Sequence, residues 1–146
     1  MQEQIARIRQ WFETLTPQTL MSIGMVYAPE ASFQDPFNQV QGVRAIQSVY
    51  QHMFDQLRQP RFVITKTLIQ DQTCVMIWTF LFSLREQEFS IEGCTHFELN
   101  AQGLIVMHQD YWDAAQQFYE RIPLLGTALR IFRRKLSVPA ATKKSL

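Results

Sequence analysis

The chain has 146 residues, with 14 Lys and Arg against 13 Asp and Glu and a formal net charge of +1, so it lacks the basic excess that draws a protein to nucleic acid. This length suits one domain with its own hydrophobic core and no need of disulfide or metal staples. The 2 cysteines, Cys74 and Cys94, have no CxxC or metal-type spacing, MQEQIARIRQWF has no signal-type apolar run, and no stretch is long enough to span a bilayer, so a cytoplasmic location is expected.

Ile5, Ile8, Trp11, Phe12 and Leu15 recur at helical spacing and predict an amphipathic helix over residues 3–15. Thr16-Pro17 is a helix-start signal, and Leu20, Ile23, Val26 and Tyr27 would be the buried side of a second helix ending at Ala28-Pro29. ASFQDPFNQVQG is a short extended segment broken at Asp35-Pro36 and closed by Gly42, and Ile46, Val49, Tyr50, Met53, Phe54 and Leu57 then mark a third helix from Val43 to Leu57. RFVITKTLI, TCVMIWTFLFSL, EFSIEGCTHFEL and GLIVMHQDYW read as four strands divided by the turns QDQ, REQ and NAQG, the last with Gly103 free to take positive φ. Helices grouped before strands predict an α+β fold: a cone-shaped, curved antiparallel sheet wrapped around N-terminal helices.

One domain is expected over residues 1–136, with its core at about 3–113 and an extra C-terminal helix at about 114–136. Leu124, Leu125, Ala128, Ile131, Phe132 and Leu136 form an apolar stripe on that helix, and Arg130, Arg133, Arg134 and Lys135 a basic end that complements the helix dipole. The stripe is expected to pack over the mouth of the cone or a dimer neighbour rather than on a membrane. Residues 137–146, SVPAATKKSL, are expected to be a disordered tail.

The last strand carries the functional signal. Alternation puts Leu104, Val106, His108, Asp110 and Trp112 on one face and Ile105, Met107, Gln109 and Tyr111 on the other. The first face turns polar at two positions whose Cβ atoms lie about 7 Å apart in a strand, close enough to share a ligand atom or a water. If that face lines a pocket, Asp110 could shuttle a proton while His108 orients the substrate; the plain alternative is that the strand reaches solvent there. Trp112 on the same face favours the pocket. Trp11, Trp78, Phe80 and Phe82 would form its apolar wall, suited to a flat hydrophobic ligand, or serve simply as core. Asp35 is either an ordinary Asp-Pro turn residue or a second carboxylate facing Asp110 across the cavity. No histidines stand at metal-ligand spacing, and neither metal nor cofactor is expected.

The order of elements, with Tyr27-Ala-Pro-Glu-Ala-Ser-Phe-Gln-Asp35-Pro36, with Gly42-Val-Arg-Ala-Ile46 running to Val49-Tyr50, and with Thr95-His96-Phe97-Glu98-Leu99-Asn100 before Gly103-Leu-Ile-Val106, resembles the nuclear-transport-factor-2-like superfamily. That superfamily includes ketosteroid isomerases, SnoaL-like polyketide cyclases and limonene epoxide hydrolases. The resemblance implies that Asp35 stands at the isomerase general base, Trp11 at its tyrosine oxyanion donor and Thr95 at its protonated aspartic acid. It places His108 and Asp110 where SnoaL-like proteins commonly carry a His and an Asp, leaves the arginine of the epoxide hydrolases' Asp-Arg-Asp arrangement without a counterpart, and puts Thr95 inside and His96 outside. The function it implies is cofactor-free general acid–base catalysis on a small hydrophobic carbonyl, polyketide-like or terpenoid compound, by Asp110 and His108 with Asp35. Trp11, Trp78, Phe80, Phe82, Thr95 and Trp112 would bind the substrate. The alternative is a non-catalytic homodimer of the same fold that binds a ligand or another protein, and for either function the resemblance implies a homodimer, usually through the outer face of the sheet.

Overall fold

The computed structural model describes residues 1–117. Helix α1 (Gln2–Glu13) buries Ile5, Ile8, Trp11 and Phe12, the stripe its spacing predicts. The second expected helix is not there. Instead, Thr19–Met25 is a 3-10 helix kinked at Ser22, and the chain is already strand β1 at Tyr27–Gln34. Pro29, expected to stop a helix, lies in β1 where the register of its pairing shifts, a position where a strand tolerates the missing N–H.

A turn through Asp35–Asn38 leads to β2 (Gln39–Gln41), then α2 (Val43–Gln56), β3 (Arg58–Gln70), β4 (Thr73–Leu84), β5 (Gln87–Leu99) and β6 (Ile105–Trp112). The six strands form one open sheet in the order β2-β1-β6-β5-β4-β3. All neighbours are antiparallel except β1 and β6, which run parallel because α2 and the other strands intervene in the chain.

The sheet is curved, and the contacts show why. Helix α2 touches β1 and β2 at one end of the sheet and β3 at the other. In a flat sheet those edges would stand about 24 Å apart, from five strand spacings, whereas in the curl one ring of α1 meets strands from β3 to β6. Phe12 of α1 marks the inside of the curl: its ring lies 6.3 Å from Tyr50 of α2, 6.1 Å from Phe62 of β3, 5.6 Å from Phe97 of β5 and 6.0 Å from His108 of β6.

Two local features set up β6. Asn100 Oδ1 accepts from the N–H groups of Gln102 and Leu104, and Gly103 sits at φ 75°, so the NAQG turn forms as its residues dictate. Leu99 then pairs Ile105 while Glu98 pairs Met107, which leaves Val106 as a bulge. The bulge shifts the face by one residue. Ile105, fully buried, therefore belongs with His108 on the inner side, and Leu104 and Val106, expected there by simple alternation, do not.

Residues 1–112 form one compact unit, and Asp113 begins another. In the latter, Asp113 caps a helix at Ala114–Gln117 through its Oδ1 and the N–H of Gln116 at 2.9 Å. The rest of the expected 114–136 helix, its basic end and the 137–146 tail lie outside the described residues. Among the described residues no helix is long and apolar enough to cross a membrane.

Candidate active site

His108 and Asp110 face inward from β6, 3% and 16% exposed at their side chains, with His108 Nε2 2.8 Å from Asp110 Oδ1. Opposite Asp110 on β5 stands Thr95, 3% exposed, whose hydroxyl donates to the same Oδ1 at 2.5 Å. Thr95 in turn accepts from the Trp78 indole N–H at 2.8 Å. On the other side, His108 Nδ1 lies 2.6 Å from the Tyr27 hydroxyl, and that hydroxyl 3.0 Å from the hydroxyl of Tyr50.

Counting protons fixes the direction of this chain. An indole nitrogen only donates, so Thr95 must send its single proton to Asp110. If His108 carries its proton on Nε2, Tyr27 donates to Nδ1 and Tyr50 donates to Tyr27, and every buried hydrogen has an acceptor. With a proton on Nδ1 instead, Tyr27 would turn toward Tyr50, whose buried hydroxyl hydrogen would then lack an acceptor among the described residues, at a cost of about 1–3 kcal/mol. The Nε2–H tautomer is therefore selected. All donors converge on Asp110 Oδ1, and among the described residues no donor meets Oδ2.

Burial pushes the phenols of Tyr27 and Tyr50 well above their ordinary range, and the Asp110 charge adds to the effect. Both stay protonated, as donors in the chain must. The sign of the linkage follows: their full contribution is present below the unfolded phenol value of about 10, and above it stability falls by about 1.4 kcal/mol per pH unit for each ring. Alkaline titration followed by phenolate absorbance should therefore show Tyr27 and Tyr50 ionising only together with loss of the fold; reversible ionisation of both in the folded protein would contradict the chain.

The other expected site residues divide into three groups. Trp78 and Trp112 flank Gly93 across three strands, and Phe80 and Phe82 continue the inner face of β4 past the end of β6, with Phe62 stacked on Phe80 at 4.4 Å and Phe89 on Phe82 at 5.1 Å. Trp11 lies on the helical side, 6.1 Å from Tyr27 and 5.8 Å from Tyr50, and its N–H is directed to Thr19 O and Ser22 Oγ, holding the 3-10 helix. Asp35 takes the turn reading: Oδ1 accepts from the N–H groups of Phe37 and Asn38 at 2.7 and 2.6 Å, and the Asn38 amide reaches both carboxylate oxygens. The turn it holds sets Phe37 5.5 Å from Trp112.

His96 points to the outer face, where its Nε2 is 2.8 Å from Glu98 Oε1. Among the described residues no group of three His, Cys, Asp or Glu side chains could hold a metal ion, and every described arginine is exposed, so none stands beside Asp110. Tyr27, Tyr50 and Gly93 are absent from the sequence-based site. The two tyrosines had a readable signal, since a phenol on an otherwise apolar, buried face needs a partner for its hydroxyl.

The SnoaL-like domain model matches residues 8–108. No curated relative matches the sequence. Among solved structures, an LEH-like epoxide hydrolase of Mycobacterium tuberculosis superposes with TM-score 0.69 at 14% identity, covering 93% of this chain and 98% of its own. An NTF2-like protein of unknown function from Burkholderia pseudomallei K96243 gives TM-score 0.70 at 14% identity over 80% of this chain and 95% of that one. A candidate SnoaL-like polyketide cyclase from Shewanella putrefaciens CN-32 gives 0.68 at 17% identity over 80% and 93%. At these identities the likeness concerns the fold.

Proposed function

Because the chain belongs to the SnoaL-like domain family, we propose that it is a cofactor-free general acid–base catalyst acting on a small hydrophobic carbonyl, polyketide-like or terpenoid compound. The observation that carries this reading is the single carboxylate of Asp110, half-buried beside the buried His108 and fixed through Oδ1 by two donors, so that Oδ2 is left to act. Oδ2 would take a proton from the carbon next to a carbonyl, or from an attacking water, and return it at the new position. The substrate would lie along Trp78, Phe80, Phe82 and Trp112. Asp35 enters as the anchor of its turn and Trp11 as support for the 3-10 helix. The test is proton exchange in heavy water: a panel of small cyclic ketones and β-diketones should lose α-protons faster with the protein than without it, and retention of a ligand with no exchange or turnover would support the binding-only alternative.

The dimer belongs to the same reading. Ile77, Cys94 and Tyr111 form one outward row across β4, β5 and β6, with Ile77 37% and Tyr111 56% exposed; Lys66 is the β3 member of that row, and Val63 and Leu68 lie on the same outer face of β3 opposite Thr79 and Val75. Light scattering should give twice the chain mass, and Ile77→Asp should give the monomer; a wild-type monomer would remove the dimer from the proposal. The two thiols are free, as in proteins of a reducing compartment such as the cytoplasm, and burial, which pushes that of Cys74 up to about 11, keeps it unreactive.

A further inference from the structure

We propose that Trp78, seated over Gly93, is a positioning residue: its indole N–H sets the direction of the Thr95 hydroxyl, so that Thr95 donates to Asp110 Oδ1 and Oδ2 remains the oxygen that meets the ligand. The inference rests on Asp110 as the reacting group but concerns only the bond that orients it.

Trp78, Gly93 and Trp112 stand directly opposite one another on β4, β5 and β6, all on the inner face. Two indoles on either side of one position leave space for nothing larger than hydrogen. A Cβ on Gly93 would lie 2.5 and 2.8 Å from two carbons of the Trp78 ring and 2.9 Å from the Trp112 Cβ. The Trp112 Cβ is tied to the backbone and cannot yield. Gly93 is not among the glycines with positive φ, so the demand at this position is for room and not for backbone freedom.

The room lets the Trp78 ring lie across β5 and reach Thr95, the next inward residue of that strand, at 2.8 Å. A threonine hydroxyl beside a carboxylate is a rotor with one proton and two lone pairs. With a lone pair held by an obligate donor, the proton has one destination, Asp110 Oδ1. His108 Nε2–H occupies the same oxygen, and two donors on one oxygen stop the carboxylate from turning about its terminal bond and exchanging its oxygens. Removing the indole N–H would loosen the hydroxyl's hold on Oδ1 and leave His108 Nε2–H as the one fixed donor there.

The measurement is proton NMR of the Thr95 hydroxyl, identified by its contact to the Thr95 Hβ, together with the Trp78 indole proton. The wild-type protein should show an exchange-protected hydroxyl, and Thr95→Ser should keep one. Trp78→Phe should speed its exchange by about tenfold or more. Trp78→Met, which also lacks the indole N–H and adds no atom at Gly93, reads the same bond and serves if Trp78→Phe fails to fold. A wild-type hydroxyl without protection, or wild-type exchange in folded Trp78→Phe or Trp78→Met, would overturn the proposal. Turnover plays no part in the readout. An active Asp110→Asn would end the acid–base reading while leaving the hydroxyl result in place, and an unchanged hydroxyl would end this inference while leaving the acid–base test in place.

Discussion

Asp110→Asn should lower the rate of substrate turnover by about 10²- to 10⁴-fold, the range a positioned general base supplies, and leave the fold intact. The second half of that expectation comes from where the hydrogen bonds fall. Both donors, His108 Nε2–H and the Thr95 hydroxyl, use Oδ1, and an asparagine keeps a carbonyl oxygen there. The change is confined to Oδ2, where a basic oxygen becomes an NH2 group that can only donate. Because no protein donor meets Oδ2 among the described residues, the substitution strands no partner inside the protein. The measurement is α-proton exchange or turnover on whichever compound of the ketone panel responds, alongside thermal unfolding and the His108 ring nitrogen shifts. Full activity in a folded Asp110→Asn would reject the carboxylate as the acting group. Loss of activity accompanied by a changed His108 tautomer would trace the effect to disruption of the network.

Strands β4 and β5 could be read nearly to the residue, and β3 from Arg61 onward, because alternation of apolar and polar side chains and the turn residues QDQ and REQ point the same way; the first three residues of β3, Arg58 to Pro60, carry no such alternation. The segment from Thr16 to Gln34 could not. Leu20, Ile23, Val26 and Tyr27 fit one face of a helix, but the same four buried residues also suit a 3-10 turn followed by a strand. Tertiary pairing decides: Val26 O accepts from Ile105 N at 2.8 Å, joining this segment to β6, a partner far away in sequence. The phase of β6 before His108 was lost for a related reason. A bulge adds one residue to a face count, and nothing in GLIVMHQDYW marks Val106 as that residue.

At the site, sequence reading found the residues with conspicuous chemistry and missed those that orient them. His108 and Asp110 stand out as polar residues at the end of an apolar strand. Tyr27 and Tyr50 were counted for their rings, as members of helical stripes, although their hydroxyls complete the His108 bond. Gly93 carries no side chain to notice, and the need for it exists only once Trp78 and Trp112 are brought to either side. Asp35 had both readings open, and the carboxylate's four contacts with Phe37 and Asn38 give it the structural one.

Phe12→Ala should cost about 3–5 kcal/mol of stability, the largest loss expected from truncating a single ring in this core. Phe12 is 5% exposed, and its ring meets those of Tyr50, Phe62, Phe97 and His108 from four different elements. A side chain that touches strands across the width of the curved sheet cannot be replaced by the shift of one neighbour, so the cavity would persist and its cost with it. Met25→Ala provides the contrast: that residue is 60% exposed, and its truncation should change stability by less than about 0.5 kcal/mol. Urea unfolding would measure both. The same void opens beside the His108 ring, so Phe12→Ala should also broaden the His108 signals, while the Thr95 hydroxyl, held between Trp78 of β4 and Asp110 of β6, keeps its protection. A loss under about 1 kcal/mol would mean that the sheet closes on itself without α1, and that the helix is a lid on the curl instead of its core.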